Sequence, residues 1–135
     1  MVKPILIVVD DDPEMANLVA NVGEYSGFDV YATTSAREFQ KVWAECEPSV
    51  IVMDLVMPNI DGVELLIWLA EQNCPASIIL MSGYGGKYLD IAEDLGTVKG
   101  DRVAGTLAKP FEVSDLEKLL DIALTKHNTP DNPAA

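Results

Sequence analysis

The stretch Ile5–Pro13, ILIVVDDDP, decides the fold. Five apolar residues run without a break, the pattern of a strand covered on both faces rather than one. Asp12 followed by Pro13 then has the chemistry of a helix N-cap with proline at the first helical position. Met15, Leu18, Val19 and Val22 recur at helical spacing, and Gly27 ends the segment. The unit is strand, tight turn, helix. Its unusual feature is a block of three carboxylates where a buried strand ends.

The same alternation repeats along the chain. Phe28–Ala32 is a short strand, and Ser35 with Glu38 forms a capping box that opens a helix through Phe39, Val42 and Trp43. Val50–Met53 is the third strand, with a second box, Asp61 and Glu64, before Leu65, Leu66, Trp68 and Leu69. Ser77–Met81 is the fourth strand, Lys87–Leu95 a helix, and Val103–Leu107 the fifth strand. Ser114 with Glu117 is expected to cap a last helix carrying Leu116, Leu119, Leu120 and Ile122. Strands alternating with helices imply parallel pairing through right-handed crossovers, an open doubly wound α/β sheet. At 135 residues this is one domain, expected over residues 1–126. Residues 127–135, with two prolines, read as a disordered tail or the start of a linker.

Nine basic and 22 acidic residues give a net charge of −13, which argues against binding nucleic acid or an anionic membrane. Cations or basic protein surfaces are the partners such a charge favours. The N-terminal apolar run is too short for a signal peptide, and no run approaches the ~20 residues that span a bilayer. A cytoplasmic location is expected. Cys46 and Cys74 have no CxxC spacing and no partner histidine, and read as small buried or half-buried thiols.

In open α/β sheets ligands bind beyond the carboxyl ends of the strands. The polar residues just past those ends are Asp10, Asp11 and Asp12 after strand 1, Asp54 after strand 3, Ser82 after strand 4 and Lys109 after strand 5. Converging carboxylates repel one another unless a cation sits among them, and hard oxygen donors in a small site suit Mg²⁺. A divalent metal, a carboxylate nucleophile, a hydroxyl and an ammonium together suggest phosphoryl chemistry. Taken singly, Ser82 also reads as a polar strand end and Lys109 as a surface charge, while Asp12 and Asp61 read as helix caps.

The set VVDDD (Val8–Asp12), MDLVMPNIDG (Met53–Gly62), MSGY (Met81–Tyr84) and LAKPF (Leu107–Phe111) closely resembles the receiver domains of two-component response regulators, from Lys3 to about Lys126. The resemblance implies a single flavodoxin-like (βα)5 domain with a five-stranded parallel sheet in the order 2-1-3-4-5. It implies that Asp54 is the phosphoacceptor, that Ser82 is the switch hydroxyl, and that Lys109 contacts the phosphoryl group. Asp10, Asp11, Asp54 and the backbone carbonyl of Val56 would hold Mg²⁺, for which Mn²⁺ can substitute. It also implies a cis Lys109–Pro110 peptide, room for the phosphoryl group at Gly83, and a loop shaped by Pro58 and Gly62. Such a domain phosphorylates and dephosphorylates itself and is not a turnover enzyme. Its partners would be a histidine kinase or histidine phosphotransfer protein, with a downstream protein or output domain, and neither nucleic acid nor membrane.

Three departures from that pattern stand out. The second switch position, often aromatic, is Thr106, so a conventional ring swing is not expected, and the signal is assigned mainly to the Ser82–Tyr84 loop and the following helix. Gly96–Gly105 makes the stretch between Ser82 and Lys109 several residues longer than usual. Val56 and Tyr84, which flank the path of attacking water, are apolar and bulky and predict slow self-dephosphorylation. Met15 and Leu18, close to the acidic pair, either form a docking surface for the phosphodonor or pack inward. Two other functions compete. One is a haloacid dehalogenase-like phosphohydrolase, whose DxD spacing Asp10 and Asp12 match, although Pro13 and Glu14 follow and Asp54 goes unexplained. The other is a degenerate receiver acting only as a binding module.

Overall fold

A computed structural model of the chain describes residues 2–55, 62–83 and 103–128. Its elements are β1 (Ile5–Val9), α1 (Pro13–Tyr25), β2 (Asp29–Thr33), α2 (Ala36–Glu45), β3 (Val50–Asp54), α3 (Gly62–Glu71), β4 (Ser77–Ser82), β5 (Val103–Ala108) and α4 (Val113–Asn128). The strands form one sheet in the order β2-β1-β3-β4-β5, and every pairing is parallel. This is the flavodoxin-like α/β topology expected. The helix expected over Lys87–Leu95, Asp61 with its capping box, and residues 96–102 of the long stretch lie outside the described residues. Val103–Gly105, the end of that stretch, belong to β5.

The unbroken apolar runs of β1, β3 and β4 are explained by two cores, one on each face of the sheet. Alternate residues of one strand point to opposite faces. Ile7 and Val9 therefore join Phe39, Ile51, Met53, Leu65 and Leu80 beneath α2 and α3. Leu6 and Val8 join Val19, Val52, Ile79, Met81, Leu116 and Leu120 beneath α1 and α4. Trp43 and Trp68 meet edge to face between α2 and α3, with ring centroids 5.1 Å apart and the planes at 72°. The Trp43 Nε1–H reaches Cys74 Sγ at 3.4 Å. Both cysteines are free thiols, Cys46 half-buried and Cys74 buried.

The caps follow the sequence with one correction. Asp12 caps α1 by accepting the Glu14 N–H at 3.0 Å, with Pro13 in the first turn. Ser35 caps α2 by accepting the Glu38 N–H at 3.1 Å, and Glu38 reaches back to the Thr34 N–H at 3.1 Å. The expected Ser114–Glu117 box does not form, because α4 begins two residues earlier, at Val113 rather than Asp115. Glu112 stands before the first turn, and its N–H points at Asp115 Oδ2 at 3.4 Å, leaving Ser114 inside the helix. Leu116, Leu120 and Ala123 then face the core. Ile122, expected with them, is turned outward and 51% exposed. The helix continues through His127, whose Nδ1 lies 3.1 Å from the carbonyl of Pro75. β5 carries one extra residue, Ala104, opposite the Ile78–Ile79 step, a bulge that keeps Ser82 level with Ala108.

Candidate phosphoacceptor and metal site

Parallel register brings the site residues to one edge. Val9 pairs with Met53, so the residues that follow, Asp10 and Asp54, leave the sheet side by side. Asp54 pairs with Met81 and Ser82 with Ala108, and the Lys109 N–H continues the ladder onto the Ser82 carbonyl at 2.8 Å. Four strand ends thus deliver Asp10, Asp54, Ser82 and Lys109 to the same place, although up to 99 residues separate them.

Asp10 is fully buried, and both of its carboxylate oxygens accept hydrogen bonds. Oδ1 takes the Asp12 N–H at 2.9 Å, and Oδ2 takes the Lys109 ammonium at 2.8 Å. The same ammonium reaches Asp54 Oδ2 at 3.3 Å. Asp54 is 4% exposed, whereas Asp11 stands in solvent. One carboxylate oxygen from each of Asp10, Asp11 and Asp54 lies within 4.8 Å of the others. Burial alone would pull the Lys109 ammonium down, but the Asp10 hydrogen bond and the charges of Asp54 and Asp10 outweigh it and hold Lys109 above its ordinary value. Lys109 is therefore a cation at neutral pH. Three carboxylates against one ammonium still leave two negative charges (−3 + 1 = −2), carried by hard oxygens. That donor set fits a divalent hard cation such as Mg²⁺. Asp12 is committed to its capping bond and is not among the three.

The remaining candidates fall in different surroundings. Ser82 is fully buried at the end of β4. A Cβ built on Gly83 would stand 3.9 Å from Lys109 Cδ, an ordinary contact. The Lys109–Pro110 peptide is cis. Thr106 pairs with Leu80 in the middle of β5 and lines a cleft of about 420 Å³ against Phe111, Leu119 and Ile122 of the α4 side. Met15 and Leu18 part company, Met15 packing partly against the core and Leu18 standing 40% exposed on α1. Val56, Pro58 and Tyr84 lie outside the described residues.

One residue beside the site carries no sequence signal. Thr33 closes β2, an edge strand whose other residues are exposed or half-exposed, yet it is 1% exposed. Its hydroxyl donates to the Val8 carbonyl at 2.6 Å, and its own carbonyl accepts the Asp10 N–H at 3.1 Å. A threonine at a strand end is unremarkable until the register places it beside Asp10.

Residues 6–121 match the response regulator receiver domain. Among curated proteins the chain is 31% identical over 120 residues to the transcriptional regulatory protein FixJ of Bradyrhizobium diazoefficiens, covering 88% of this chain and 56% of that protein. It is 28% identical over 121 residues to the chemotaxis protein CheY of Listeria monocytogenes, covering 87% and 96%. The chain spans 17% to 56% of the length of FixJ and other transcriptional regulators it matches. A response regulator from Colwellia psychrerythraea superposes with a TM-score of 0.76 at 32% identity, over 91% of this chain and 98% of that one. No described helix is long and apolar enough to cross a membrane. With the topology, the acidic edge and these matches in agreement, the chain belongs to the response regulator receiver domain family, the CheY-like signalling domains of two-component systems, which are not classical turnover enzymes.

Proposed function

We propose that this chain accepts a phosphoryl group on Asp54 from a histidine kinase or histidine phosphotransfer protein and changes its partner binding as a result. The observation that carries this reading is the gathering of Asp10, Asp11 and Asp54 at the carboxyl edge of the sheet, with the Lys109 ammonium bonded to Asp10 and Asp54. Asp10, Asp11, Asp54 and the Val56 carbonyl are the residues assigned to Mg²⁺. When bound, that ion (or Mn²⁺ in its place) neutralises charge on phosphoryl oxygens. An Asp54 carboxylate oxygen forms the new bond to phosphorus as the phosphohistidine N–P bond breaks, and the electron pair of that bond stays on the imidazole. Lys109, already 3.3 Å from Asp54 Oδ2, is placed to follow the charge onto the phosphoryl oxygens. Ser82 is assigned the hydrogen bond that reports the phosphoryl group, and Gly83 leaves room for it.

The exposed Leu18, beside acidic Asp11 and Glu14 on a helix with no basic residue, suits a basic helical partner such as a phosphodonor bundle. The half-buried Met15 contributes its outer edge to that surface. Thr106 offers no aromatic ring to swing, so the readout is assigned to the Ser82–Tyr84 loop and the chain after it. The output is a downstream protein or a linked output domain, in the cytoplasm, with no contact to nucleic acid through this domain.

Intact-mass detection after incubation with Mg²⁺ and acetyl phosphate tests the reading. One phosphoryl group is expected on the wild type, and none on Asp54→Asn or after chelation. Phosphorylation that persists in Asp54→Asn would overturn the assignment, and steady turnover of a phosphate ester would point to a hydrolase instead.

A further inference from the structure

We infer that Thr33 is a positioning residue for the metal-facing carboxylate of Asp10, acting through the backbone of β1. The inference rests on the proposed Mg²⁺ site.

Thr33 holds β1 at two points on either side of Val9. Its hydroxyl donates to the Val8 carbonyl at 2.6 Å, and its carbonyl receives the Asp10 N–H at 3.1 Å. Those two bonds fix the peptide units on both sides of Val9, and the second of these units carries the N–H of Asp10, from which the buried carboxylate projects. A buried apolar residue would fill the same space, and in a buried strand end an apolar residue is the expected choice. A hydroxyl buried to 1% exposure must be repaid by a partner, and here the partner is the carbonyl two residues before Asp10.

Thr33 is also tied from the other side, through exposed hydrogen bonds at the start of α2. The next residue, Thr34, donates its N–H to Glu38 Oε1 at 3.1 Å, and Ser35 caps α2 through the Glu38 N–H. A restraint from the start of α2 therefore passes through Thr33 to Asp10. At Asp10 it meets the two bonds that orient the carboxylate, from the Asp12 N–H and from Lys109. Metal affinity depends on such supporting groups because donors that are free to rotate must be ordered when the ion binds.

Two substitutions separate positioning from packing. Thr33→Val keeps the shape and removes the donor, whereas Thr33→Ser keeps the donor and loses a methyl group. Mg²⁺ affinity of the unphosphorylated protein is read by titration calorimetry, and protection of the Asp10 amide by hydrogen exchange. Thr33→Val is expected to bind Mg²⁺ about tenfold more weakly and to lose protection at Asp10 more than at the centre of β3. Thr33→Ser is expected to stay within about twofold of the wild type on that same scale. Should Thr33→Val fail to fold, Thr33→Ala is measured in the same way. Wild-type Mg²⁺ affinity in Thr33→Val, or equal losses in Thr33→Val and Thr33→Ser, overturns the inference while leaving the proposed function intact. A wild-type protein that binds no Mg²⁺ overturns both.

Discussion

The Lys109 ammonium stands 2.8 Å from Asp10 Oδ2, an ion pair between the end of β5 and the end of β1 with the carboxylate wholly buried. Lysine is thus the cation of the acidic edge, and it bridges Asp10 and Asp54.

Removing that cation leaves a buried carboxylate short of a partner. Lys109→Met is expected to lower stability by about 2 kcal/mol at neutral pH without divalent metal. Because the folded-state ammonium is held above its ordinary value of 10.5, the stabilisation is present in full below that pH and is lost as pH rises through the higher folded value. Wild type should therefore lose its advantage over Lys109→Met only in strongly alkaline solution. Urea unfolding across pH checks this, and equal stability of the two proteins at pH 7 would count against it.

Gly23 sits in α1 where a side chain has no room. A Cβ there would meet Leu6 Cδ2 at 2.6 Å and Val30 Cγ2 at 3.0 Å. Alanine improves helix propensity by about 1 kcal/mol, but overpacking against a fully buried leucine and a stiff valine costs about 1–3 kcal/mol. The clash should win, so Gly23→Ala is expected to melt at a lower temperature. A higher melting temperature would show that Leu6 moves aside freely.

The two thiols should differ in reactivity. Burial, and then the neighbouring Glu45 carboxylate, push the Cys46 thiol up from its ordinary value, which lowers its thiolate fraction at neutral pH. Cys74 is buried beside the Trp43 indole N–H. Titration with a disulfide reagent should label Cys46 alone in the folded protein, slowly at pH 7 and faster as pH rises. Cys74 should react only after denaturation, and simultaneous labelling of both would contradict the packing.

If Val56 and Tyr84 shield the acyl phosphate from water, polar replacements should expose it. The double variant Val56→Asn, Tyr84→Glu is expected to lose its phosphoryl group about tenfold faster, followed by mass spectrometry after removal of the donor. An unchanged half-life would assign the lifetime to other residues.

Leu18 offers a test that separates docking from chemistry. Leu18→Lys should slow phosphotransfer from a phosphohistidine protein by about tenfold and leave phosphorylation by acetyl phosphate unchanged. Equal slowing with both donors would place Leu18 in the fold rather than at a partner surface.

Much of this was legible in the chain itself. The unbroken run Ile5–Val9 marks a strand buried on both faces, and the Asp12–Pro13 and Ser35–Glu38 pairs mark helix starts, because caps and core periodicity are local chemistry. The acidic residues after β1 and β3 could be named as one cluster because parallel strands must end on the same edge. Local signals were weaker where two reasonable caps stood side by side. Asp115 rather than Glu117 faces the start of α4, and the core face runs through Leu116, Leu120 and Ala123, a spacing that leaves Ile122 outward.

What the sequence determined by itself was the order of elements, the two-sided core and the residue types at the acidic edge. Only the tertiary structure decided which groups pair: Lys109 with Asp10 as well as Asp54, Trp43 with Cys74, and Thr33 with the β1 backbone on either side of Val9. Periodicity records how each residue relates to its own helix or strand. Those contacts join residues 23 to 99 positions apart, and they depend on the register and twist with which separate strands are brought together.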